Sequence, residues 1–413
     1  MQILFVHNNF PAQFRNLVQV LSTMRDVRIA AIGCETASSI HGVELHRYRT
    51  PAATADAHPF ARRFDHECRR AEQVLYAATA LADSGFTPDV IVVHPGWGEN
   101  LSLRAVFPKA RIIAYCEFFY RSEGADVGFD PEFPSIGLDG HVALQLRNAA
   151  SLIALTDSDA GISPTFWQKS TFPEAFKSKI EVIHEGVDTT IFKPNLDTYF
   201  MLPSGKKLTL SDDVLTYSAR SLEPMRGFHI FMRAVPRVLK ARPQAQVLIV
   251  GADGVSYGAQ PPNAPSWKAA LLHELGEAID PQRVHFLGRL PYGDYLKVLQ
   301  ISRAHVYLTY PFVLSWSLLE AMSAGCAVIA SDTAPVREVI NGQNGLLVPF
   351  FSPEALSDAI ANVLGEPKRF LAMRKAARET VKAQYDSNVC VPKLLDLIRG
   401  NLTSDADLAA GAR

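Results

Sequence analysis

Residues 310–332 combine residue types and a spacing that suit the binding of a phosphorylated ligand. Their pattern predicts a helix over residues 315–322, ended by Gly325, and then a buried parallel strand over residues 327–330. A helix N-terminus offers unpaired N–H groups and the positive end of the helix dipole, and both favour a phosphate. Glu320, one turn inside this helix, is placed to bind ribose hydroxyls; the alternative is an ordinary solvated helix residue.

A second group with chemical potential is the sequence HPGWGEN, which starts at His94 and follows an apolar strand. Open α/β sheets bind their ligands at the carboxyl ends of the strands, which is where this group lies. His94 and Glu99 can exchange protons, and Trp97 can stack on a sugar ring. A lone histidine is more often structural, but an aromatic and a carboxylate beside it favour a functional site.

These residues need a sheet to position them, and the first half of the chain alternates predicted strands with helices. Helices are predicted near residues 14–21 and over residues 59–83. Strands are predicted at residues 3–6, 27–32, 90–93, 112–115, 152–155 and 180–183. This alternation predicts a parallel sheet with right-handed crossovers.

A polar stretch, residues 195–213, is predicted to link two domains. A second alternating series follows it, with strands from residue 214, over 246–250 and 284–287 and near 305, and helices near 228–239, 267–275, 354, 368 and 388–399. Residues 258–266 are predicted to be a proline-rich surface loop. The chain is therefore predicted to contain a second parallel sheet.

Composition limits the class of protein. The chain has 413 residues, enough for two domains of about 200 residues each. A net charge of −1 argues against nucleic-acid partners, and the apolar runs are too short for a membrane span, so membrane contact is expected to be peripheral at most. Five scattered cysteines argue against a disulfide framework or a zinc site and favour a cytoplasmic location.

The phrase LSWSLLEAMSAGCAVIA resembles the donor-binding signature of retaining family 4 glycosyltransferases of the GT-B architecture. That family typically carries two glutamates eight positions apart; Glu320 matches the second, whereas Phe312 stands at the position of the first. The resemblance covers roughly residues 1–390. It implies an α/β fold with two Rossmann-like domains facing across a cleft and a C-terminal helix that crosses back to the first domain.

The predicted linker and the resemblance together give the expected domain limits. Residues 1–200 are expected to form the acceptor domain and residues 201–385 the nucleotide-sugar donor domain. Residues 386–402 are expected to form the returning helix, followed by a disordered tail, residues 403–413.

In the family an arginine and a lysine, six residues apart, bind the donor diphosphate. Arg220 and Arg226 have this spacing in YSARSLEPMRGF, with arginine in place of lysine. Fixed cations stabilise the negative charge that builds on a departing nucleoside diphosphate, and arginine binds phosphate through two parallel N–H bonds. The alternative is a pair of surface arginines in a loop.

Other donor contacts are implied by position in the family pattern. Ser315 or Ser317 is a candidate helix cap, and backbone N–H groups at this turn are expected to face the phosphates. For Trp316 the alternative is a side chain buried in the core. The remaining expected donor-binding residues are Leu314, Ser315, Trp316, Phe312, Arg289 and Leu290.

The first domain is implied to hold the acceptor. Many relatives have paired glycines after the first strand, where this chain has Ala12 and Gln13. Asn9 is a candidate acceptor-binding residue or a helix cap. The family often ends the strand near residue 115 with a histidine close to the anomeric carbon, and Glu117 takes that place here. With Arg220 and Arg226, the expected catalytic residues are therefore Glu117 and His94, and Trp97 and Glu99 complete the expected acceptor site.

No metal or cofactor is expected. Asp157 and Asp159 imitate a metal-binding Asp-x-Asp motif of a different glycosyltransferase fold, but their position after a predicted strand favours a helix cap. The expected partners are a nucleotide diphosphate sugar and a hydroxyl acceptor. The expected location is the cytoplasm or, peripherally, the inner face of the membrane.

The residues and the resemblance together predict a glycosyltransferase that moves a sugar from a UDP- or GDP-sugar to an acceptor hydroxyl, in glycan, glycolipid or glycoconjugate synthesis. Retention is implied by the resemblance alone. An epimerase or hydrolase of the same fold would instead use His94, Glu99 and Glu117 around the sugar. A catalytically inactive binding subunit is a third reading, which Phe312 favours and Glu320 opposes.

Overall fold

The computed structural model describes residues 1–50, 52, 57–134 and 136–401. The chain divides into two compact units. Unit 1 contains Met1–Gly186 and the chain from Ser387, and unit 2 contains Val187–Asp386. The first division lies earlier than the expected limit at residue 200, because Val187 and Phe192 pack in the core of unit 2. The predicted disordered tail lies outside the described residues.

Unit 1 is built on a parallel sheet of seven strands in the order β3-β2-β1-β4-β5-β6-β7. The strands are β1 Gln2–Val6, β2 Arg28–Cys34, β3 Val43–Tyr48, β4 Val90–Val93, β5 Arg111–Tyr115, β6 Ala160–Ser163 and β7 Ile180–Val182. Along β1, Ile3 and Phe5 pack into one apolar cluster and Leu4 and Val6 into another. Helices therefore cover both faces of the sheet, which explains the continuous apolar strands in the sequence.

The connections of unit 1 are mostly helical. The α-helices are α1 Arg15–Leu21, α2 Arg62–Asp83, α3 Leu103–Val106, α4 Leu138–Leu146, α5 Ala149–Asp157, α6 Phe166–Thr171 and α7 Glu174–Lys177, with 3-10 helices at Ala12–Phe14 and Pro95–Trp97. The predicted strand over residues 152–155 is wrong, since these residues lie in α5. A short apolar run cannot by itself distinguish a buried strand from a buried helix.

Unit 2 contains a parallel sheet of six strands in the order β12-β11-β10-β13-β14-β15 and a separate antiparallel hairpin, β8-β9. The strands are β8 Tyr199–Met201, β9 Lys207–Thr209, β10 Val214–Ser221, β11 Gln246–Ala252, β12 Val284–Gly288, β13 Ala304–Tyr307, β14 Val328–Ser331 and β15 Leu346–Val348. The α-helices are α8 Phe228–Ala241, α9 Trp267–Leu275, α10 Tyr292–Gln300, α11 Trp316–Ser323, α12 Ala334–Arg337, α13 Pro353–Gly365 and α14 Leu371–Gln384, with 3-10 helices at Pro224–Arg226, Gly276–Ala278 and Pro367–Phe370.

The hairpin corrects the predicted linker over residues 195–213. Phe200 pairs with Leu208 across the two strands, and both side chains are buried in a cluster with Val214. The mostly polar composition of this stretch concealed these two inward-facing residues. The stretch is therefore part of unit 2.

The last helix, α15 Ser387–Arg399, belongs to unit 1 and confirms the predicted return of the chain. Leu394 and Ile398 pack in the same apolar cluster as Leu17 and Leu21 of α1. Within the described part of the chain, no helix is long and apolar enough to cross a membrane.

Both sheets have the strand order of a doubly wound fold, which reverses direction between β1 and β4 in unit 1 and between β10 and β13 in unit 2. Ligands bind beyond the carboxyl ends of the strands at such a reversal. Several predicted site residues, among them Asn9, His94, Arg226 and Phe312, lie in the loops that follow these four strands.

Candidate active site

Arg226 connects the two loops at the reversal point of unit 2. Its guanidinium Nη1 donates to Oγ1 of Thr309 and to the carbonyl of Val313, each over 2.9 Å, and its side chain is buried. The next residue, Gly227, has a φ of +66°, and a Cβ there would lie 2.3 Å from Cβ of Leu308. Glycine is therefore required for the loop after β10 to approach the loop after β13 this closely.

Arg220 has a different environment. It lies in β10 and is exposed. Among the described residues, its guanidinium makes no hydrogen bond or ion pair with a protein group. The two predicted phosphate-binding arginines thus differ, because Arg226 is fixed by protein contacts whereas Arg220 keeps its donors available to solvent or a ligand.

Two aromatic rings surround the Arg226 guanidinium. Its central carbon lies 5.3 Å from the ring centre of Tyr257 and 5.8 Å from that of Phe312. The two rings contact each other edge to face, with centres 4.9 Å apart, and Phe312 is buried. The position where relatives carry a glutamate is therefore part of an aromatic wall beside the arginine.

Glu223 holds Tyr257 in this wall, and sequence reasoning missed both residues. The Glu223 carboxylate is fully buried and accepts hydrogen bonds from three successive backbone N–H groups, those of Ser256 at 3.1 Å, Tyr257 at 3.2 Å and Gly258 at 2.9 Å. A carboxylate between two arginines that are proposed to bind phosphate was the available sequence signal. Tyr257 directly precedes the stretch interpreted as a plain surface loop.

The predicted helix of the donor motif is confirmed as α11, with Ser315 as its cap and Gly325 just beyond its end at a φ of +82°. The N–H of Ser315 donates to the hydroxyl of Tyr307 over 2.8 Å, so this predicted phosphate donor is already used within the protein. Leu314 is buried in the core. Trp316 is 39% exposed, so the suggestion that it is a core residue is wrong.

Glu320 lies on α11 beneath two tyrosines of α10. Its carboxylate accepts a hydrogen bond from the hydroxyl of Tyr292 over 2.9 Å, and burial raises its pKa above the ordinary value. Burial also raises the pKa of Tyr295, and the charge of Glu320 adds to that effect. The expected base-binding residues precede α10 directly; Arg289 is exposed and Leu290 is half-buried. The structure thus brings this loop and Glu320 to adjacent positions.

Three rings form the centre of the unit 1 site. The ring centre of His94 lies 4.6 Å from that of Trp97 and 5.0 Å from that of His7. Nδ1 of His94 accepts a hydrogen bond from the N–H of Gly96 over 3.1 Å. Its Nε2 lies 3.3 Å from Oε2 of Glu117, at ion-pair distance but outside hydrogen-bond geometry. The predicted residues His94, Trp97 and Glu117 are therefore close together.

The turn that follows His94 packs against α2 and is hydrogen-bonded to it. Arg63 donates to the carbonyl of Gly96 over 2.7 Å and pairs with buried Glu67 at 2.5 Å. A Cβ at Gly98 would lie 2.6 Å from the carbonyl oxygen of Glu67, so the turn sits directly on the helix. These contacts fix the backbone of the turn that positions His94.

The side chains of Glu99 and Asn9 have partners outside these three rings. Glu99 is fully buried and accepts a hydrogen bond from Tyr48 over 2.9 Å, and burial raises its pKa. Such burial argues against the expected direct contact with an acceptor. Asn9 is exposed and accepts a hydrogen bond from Thr36 over 3.1 Å, so it is not a helix cap.

The predicted helix cap in the Asp-Ser-Asp sequence is also wrong. Asp157 is the last residue of α5, and Asp159 accepts hydrogen bonds from the backbone N–H of Ile112 and from Arg104, each over 2.8 Å. Asp159 therefore ties the chain to β5. The expectation that no metal is required stays a prediction.

Comparison with known proteins decides the family. Residues 25–192 match the family described as "Glycosyl transferase family 4 group", and residues 204–380 match "Glycosyl transferases group 1". The chain belongs to the family 4 glycosyltransferases. The two matches together span both units of this glycosyltransferase.

Solved structures confirm the GT-B fold. Sucrose-phosphate synthase from Thermosynechococcus elongatus is similar with a TM-score of 0.73 and 17% identity, covering 97% of this chain and 98% of that chain. Anabaena HepE in complex with UDP-glucose is similar with a TM-score of 0.67 and 16% identity, covering 97% and 100%. At these identities the likeness establishes the fold alone.

Curated relatives are more similar in sequence. A GDP-mannose-dependent monoacylated alpha-(1-6)-phosphatidylinositol monomannoside mannosyltransferase from Corynebacterium glutamicum is 28% identical over 240 residues, 55% of this chain and 58% of that protein. A GDP-mannose-dependent alpha-(1-6)-phosphatidylinositol monomannoside mannosyltransferase from Mycobacterium tuberculosis is 24% identical over 330 residues, 76% and 77% of the two chains. The matched region thus spans little more than half of the Corynebacterium relative. These names do not favour the epimerase, hydrolase or inactive-subunit alternatives.

Proposed function

We propose that this glycosyltransferase transfers a sugar from a nucleoside diphosphate sugar to an acceptor hydroxyl with retention of anomeric configuration. The observation that carries the proposal is Arg226, a buried guanidinium held where the loops after β10 and β13 meet. Departure of the diphosphate builds negative charge on the leaving oxygen. A fixed cation in a site with little water stabilises that charge in the transition state.

The other donor contacts complete this assignment. Arg220 is exposed and supplies a second cation for the diphosphate. Its guanidinium can bind the phosphate oxygens through two parallel N–H bonds. Tyr292 donates a hydrogen bond to Glu320, and the two residues lie close in the chain or in space to the loop assigned to the nucleobase. The N-terminal end of α11 contributes the positive end of its dipole.

In the proposed reaction the bond from the anomeric carbon to the diphosphate oxygen breaks as the acceptor oxygen forms the new bond on the same face. The departing phosphate takes the acceptor proton, so no protein nucleophile is required. His94 and Glu117 orient the acceptor and stabilise positive charge on the sugar. No metal or cofactor takes part, so chelation by EDTA is expected to leave the rate unchanged.

We propose GDP-mannose as the first donor to test and an inositol-containing glycolipid as the acceptor. The support is the naming of the relatives from Corynebacterium glutamicum and Mycobacterium tuberculosis as GDP-mannose-dependent enzymes that act on phosphatidylinositol monomannosides. We further propose that the enzyme acts in the cytoplasm or, peripherally, at the inner face of the membrane, where such a lipid acceptor would be met.

A panel of GDP-, UDP- and ADP-sugars, with phosphatidylinositol and its mannosides as acceptors, tests the proposal. Nucleotide release and the mass of the lipid product are measured for the wild type, Arg226→Ala and Arg369→Ala. Arg369 is a matched surface control that pairs only weakly with exposed Glu366, at 3.4 Å. We expect product from wild type and from the control. Absence of product with every donor, or an inverted anomeric centre in the product, would overturn the proposal.

A further inference from the structure

Three hydrogen bonds in unit 1 form a continuous chain that ends on Glu117. The backbone N–H of Asn9 donates to Nδ1 of His7 over 2.9 Å. Nε2 of His7 and Oε1 of Gln13 are 2.9 Å apart, and Nε2 of Gln13 donates to Oε1 of Glu117 over 2.9 Å. Neither His7 nor Gln13 was expected to take part in the site.

The direction of this chain is fixed by His7. Because its Nδ1 accepts the N–H of Asn9, a neutral ring carries its proton on Nε2. The ring is 1% exposed, and burial, followed by the charge of His94, lowers its pKa well below the ordinary value. Gln13 must therefore turn its carbonyl oxygen towards His7 and its amino group towards Glu117.

The two oxygens of Glu117 consequently have different surroundings. Oε1 accepts the hydrogen bond from Gln13, whereas Oε2 lies 3.3 Å from Nε2 of His94. The backbone carbonyl of Glu117 accepts a hydrogen bond from the buried side chain of Gln168 over 2.7 Å. Both the backbone and the carboxylate plane are therefore held in place.

We infer that Gln13, oriented by His7, is a positioning residue that fixes the carboxylate of Glu117 and directs its second oxygen towards His94. The inference rests on the proposed function, because it assigns a purpose to Glu117 in transfer. A hydrogen bond donated to a carboxylate favours the ionised form. By the resemblance, the family often has a glycine near position 13 and a histidine at position 117, and in this chain Gln13 and Glu117 contact each other.

Gln13 occupies its position through an unusual backbone. Ala12, immediately before it, has a φ of +37°, in the left-handed region that favours glycine. The chain therefore adopts a glycine-like turn while still placing a side chain at residue 13. That side chain extends to Glu117 instead of leaving the space open.

Other titratable groups face Glu117 and set the background for any pH effect. His94 lies 3.3 Å from the Glu117 carboxylate. Tyr120 also interacts with Glu117: burial raises the pKa of Tyr120, and the charges of Asp126 and Glu117 add to that rise. Arg147 opposes that rise in Tyr120. These groups are common to every variant below and cancel in the comparison.

Gln13→Glu is the sharpest single test because it preserves size and the acceptor for His7 while replacing the donor to Glu117 with a second carboxyl. Two carboxyls in contact share a proton, which raises the apparent pKa of one of them. We expect the acid limb of the kcat/KM profile to move to higher pH by roughly one unit or more, with nucleotide affinity unchanged. Gln19→Glu, at an exposed position of α1, is the matched control and is expected to keep the wild-type profile.

The exchanged pair, Gln13→Glu with Glu117→Gln, separates positioning from stability. It restores the hydrogen bond in reversed order, so thermal stability is expected to return towards wild type. Activity is not expected to return, because the carboxylate that faces His94 is now an amide. If the exchanged pair regains activity with stability, the bond is merely structural and the inference fails.

An unchanged acid limb in Gln13→Glu, with transfer activity intact, would also overturn the inference while leaving the proposed function standing. Failure of the proposed function would give a different result, because the wild type itself would then consume no nucleotide sugar. The expected pattern is active wild type, a shifted profile in Gln13→Glu, and a stable but inactive exchanged pair.

Discussion

The hydroxyl of Tyr292 donates a hydrogen bond to the carboxylate of Glu320 over 2.9 Å, which joins the start of α10 to the middle of α11. Tyr292 is 53% exposed, whereas Glu320 is 7% exposed. The hydroxyl of Tyr292 therefore covers a buried carboxylate, while about half of the tyrosine remains exposed to solvent. A nucleotide that binds here would meet the tyrosine and the carboxylate together.

Replacing Glu320 is expected to weaken nucleotide binding in a graded way. Glu320→Gln keeps an oxygen that accepts from Tyr292, whereas Glu320→Ala leaves that hydroxyl without its partner. Glu320→Gln also keeps an acceptor for a ribose hydroxyl, which Glu320→Ala lacks. A lost hydrogen bond of this kind typically costs about 1–3 kcal/mol, so calorimetry is expected to show weaker nucleotide binding for Glu320→Ala than for Glu320→Gln. Equal affinity in wild type and both variants would contradict a donor role for Glu320.

Arg220 and Arg226 are expected to differ in their effect on stability. The Arg226 side chain is buried and donates to Thr309 and Val313, so Arg226→Ala is expected to lower the free energy of unfolding by about 1–3 kcal/mol. Arg220 is exposed, so Arg220→Ala is expected to leave stability near wild type. Urea titrations of both variants provide the comparison, and equal losses would show that the two environments are not as described.

Phe312 is expected to narrow the choice of donor sugar. It lies where relatives carry a carboxylate, so a sugar hydroxyl facing it loses a hydrogen bond typically worth about 1–3 kcal/mol. A deoxy, N-acetylated or otherwise altered sugar, or a different pose that uses Ser315 or Ser317, is therefore expected. Phe312→Leu keeps an apolar side chain at this position and loses less packing than a truncation to alanine. Phe312→Glu introduces the carboxylate that the family carries at this position.

The measurement is the ratio of kcat/KM between donors for both Phe312 variants. A changed ratio in Phe312→Glu, with little change in Phe312→Leu, would support the assignment. Identical ratios across all three proteins would make Phe312 a core residue only, in keeping with its burial against Tyr257.

Glu223 is expected to matter through Tyr257. Glu223→Gln replaces one accepting oxygen with an amino group that faces backbone N–H donors, and leaving buried donors unpaired typically costs about 1–3 kcal/mol. The loop that carries Tyr257 is then expected to loosen, which hydrogen exchange at Ser256, Tyr257 and Gly258 would detect. Unchanged protection of these amides would contradict the role of Glu223 as their acceptor.

His94 and Glu117 are expected to affect transfer without affecting nucleotide binding. Neither residue is assigned to the nucleotide, so His94→Ala and Glu117→Gln are expected to lower kcat while the nucleotide Kd stays constant. Glu72→Gln, at an exposed position of α2, is a matched control for the loss of charge. Loss of both transfer and nucleotide affinity would indicate a structural role for these residues.

Much of the fold followed from local patterns. Strands buried on both faces, such as β1 and β4, form continuous apolar runs, and α11 carries its own cap and its terminal Gly325. The apolar run over residues 152–155 was wrongly predicted as a strand, because a buried strand and a buried helix have the same apolar pattern over four residues. The hairpin of unit 2 was missed because its two inward side chains, Phe200 and Leu208, lie in mostly polar sequence.

The candidate site was less accessible from sequence because its contacts join distant positions. His94 was found from its place at the end of a strand and Glu117 from the family resemblance, but nothing local shows that Gln13 reaches Glu117 or that Glu223 holds the loop at Tyr257. Glu99 was misjudged because its position after a strand suggested a ligand-binding residue, whereas it is buried and hydrogen-bonded to Tyr48 of β3. Such partnerships depend on tertiary packing and not on spacing.

The transfer rate of the two arginine variants tests the central claim most directly. With the best donor and acceptor from the panel, single-turnover rates are measured for wild type, Arg220→Ala, Arg226→Ala and the Arg369→Ala control. Removing one fixed contact to the leaving group typically costs about 3 kcal/mol, so each active-site variant is expected to lose on the order of a hundredfold in rate while the control keeps the wild-type rate. Near-normal rates in both Arg220→Ala and Arg226→Ala would contradict the assignment of these residues to the departing diphosphate.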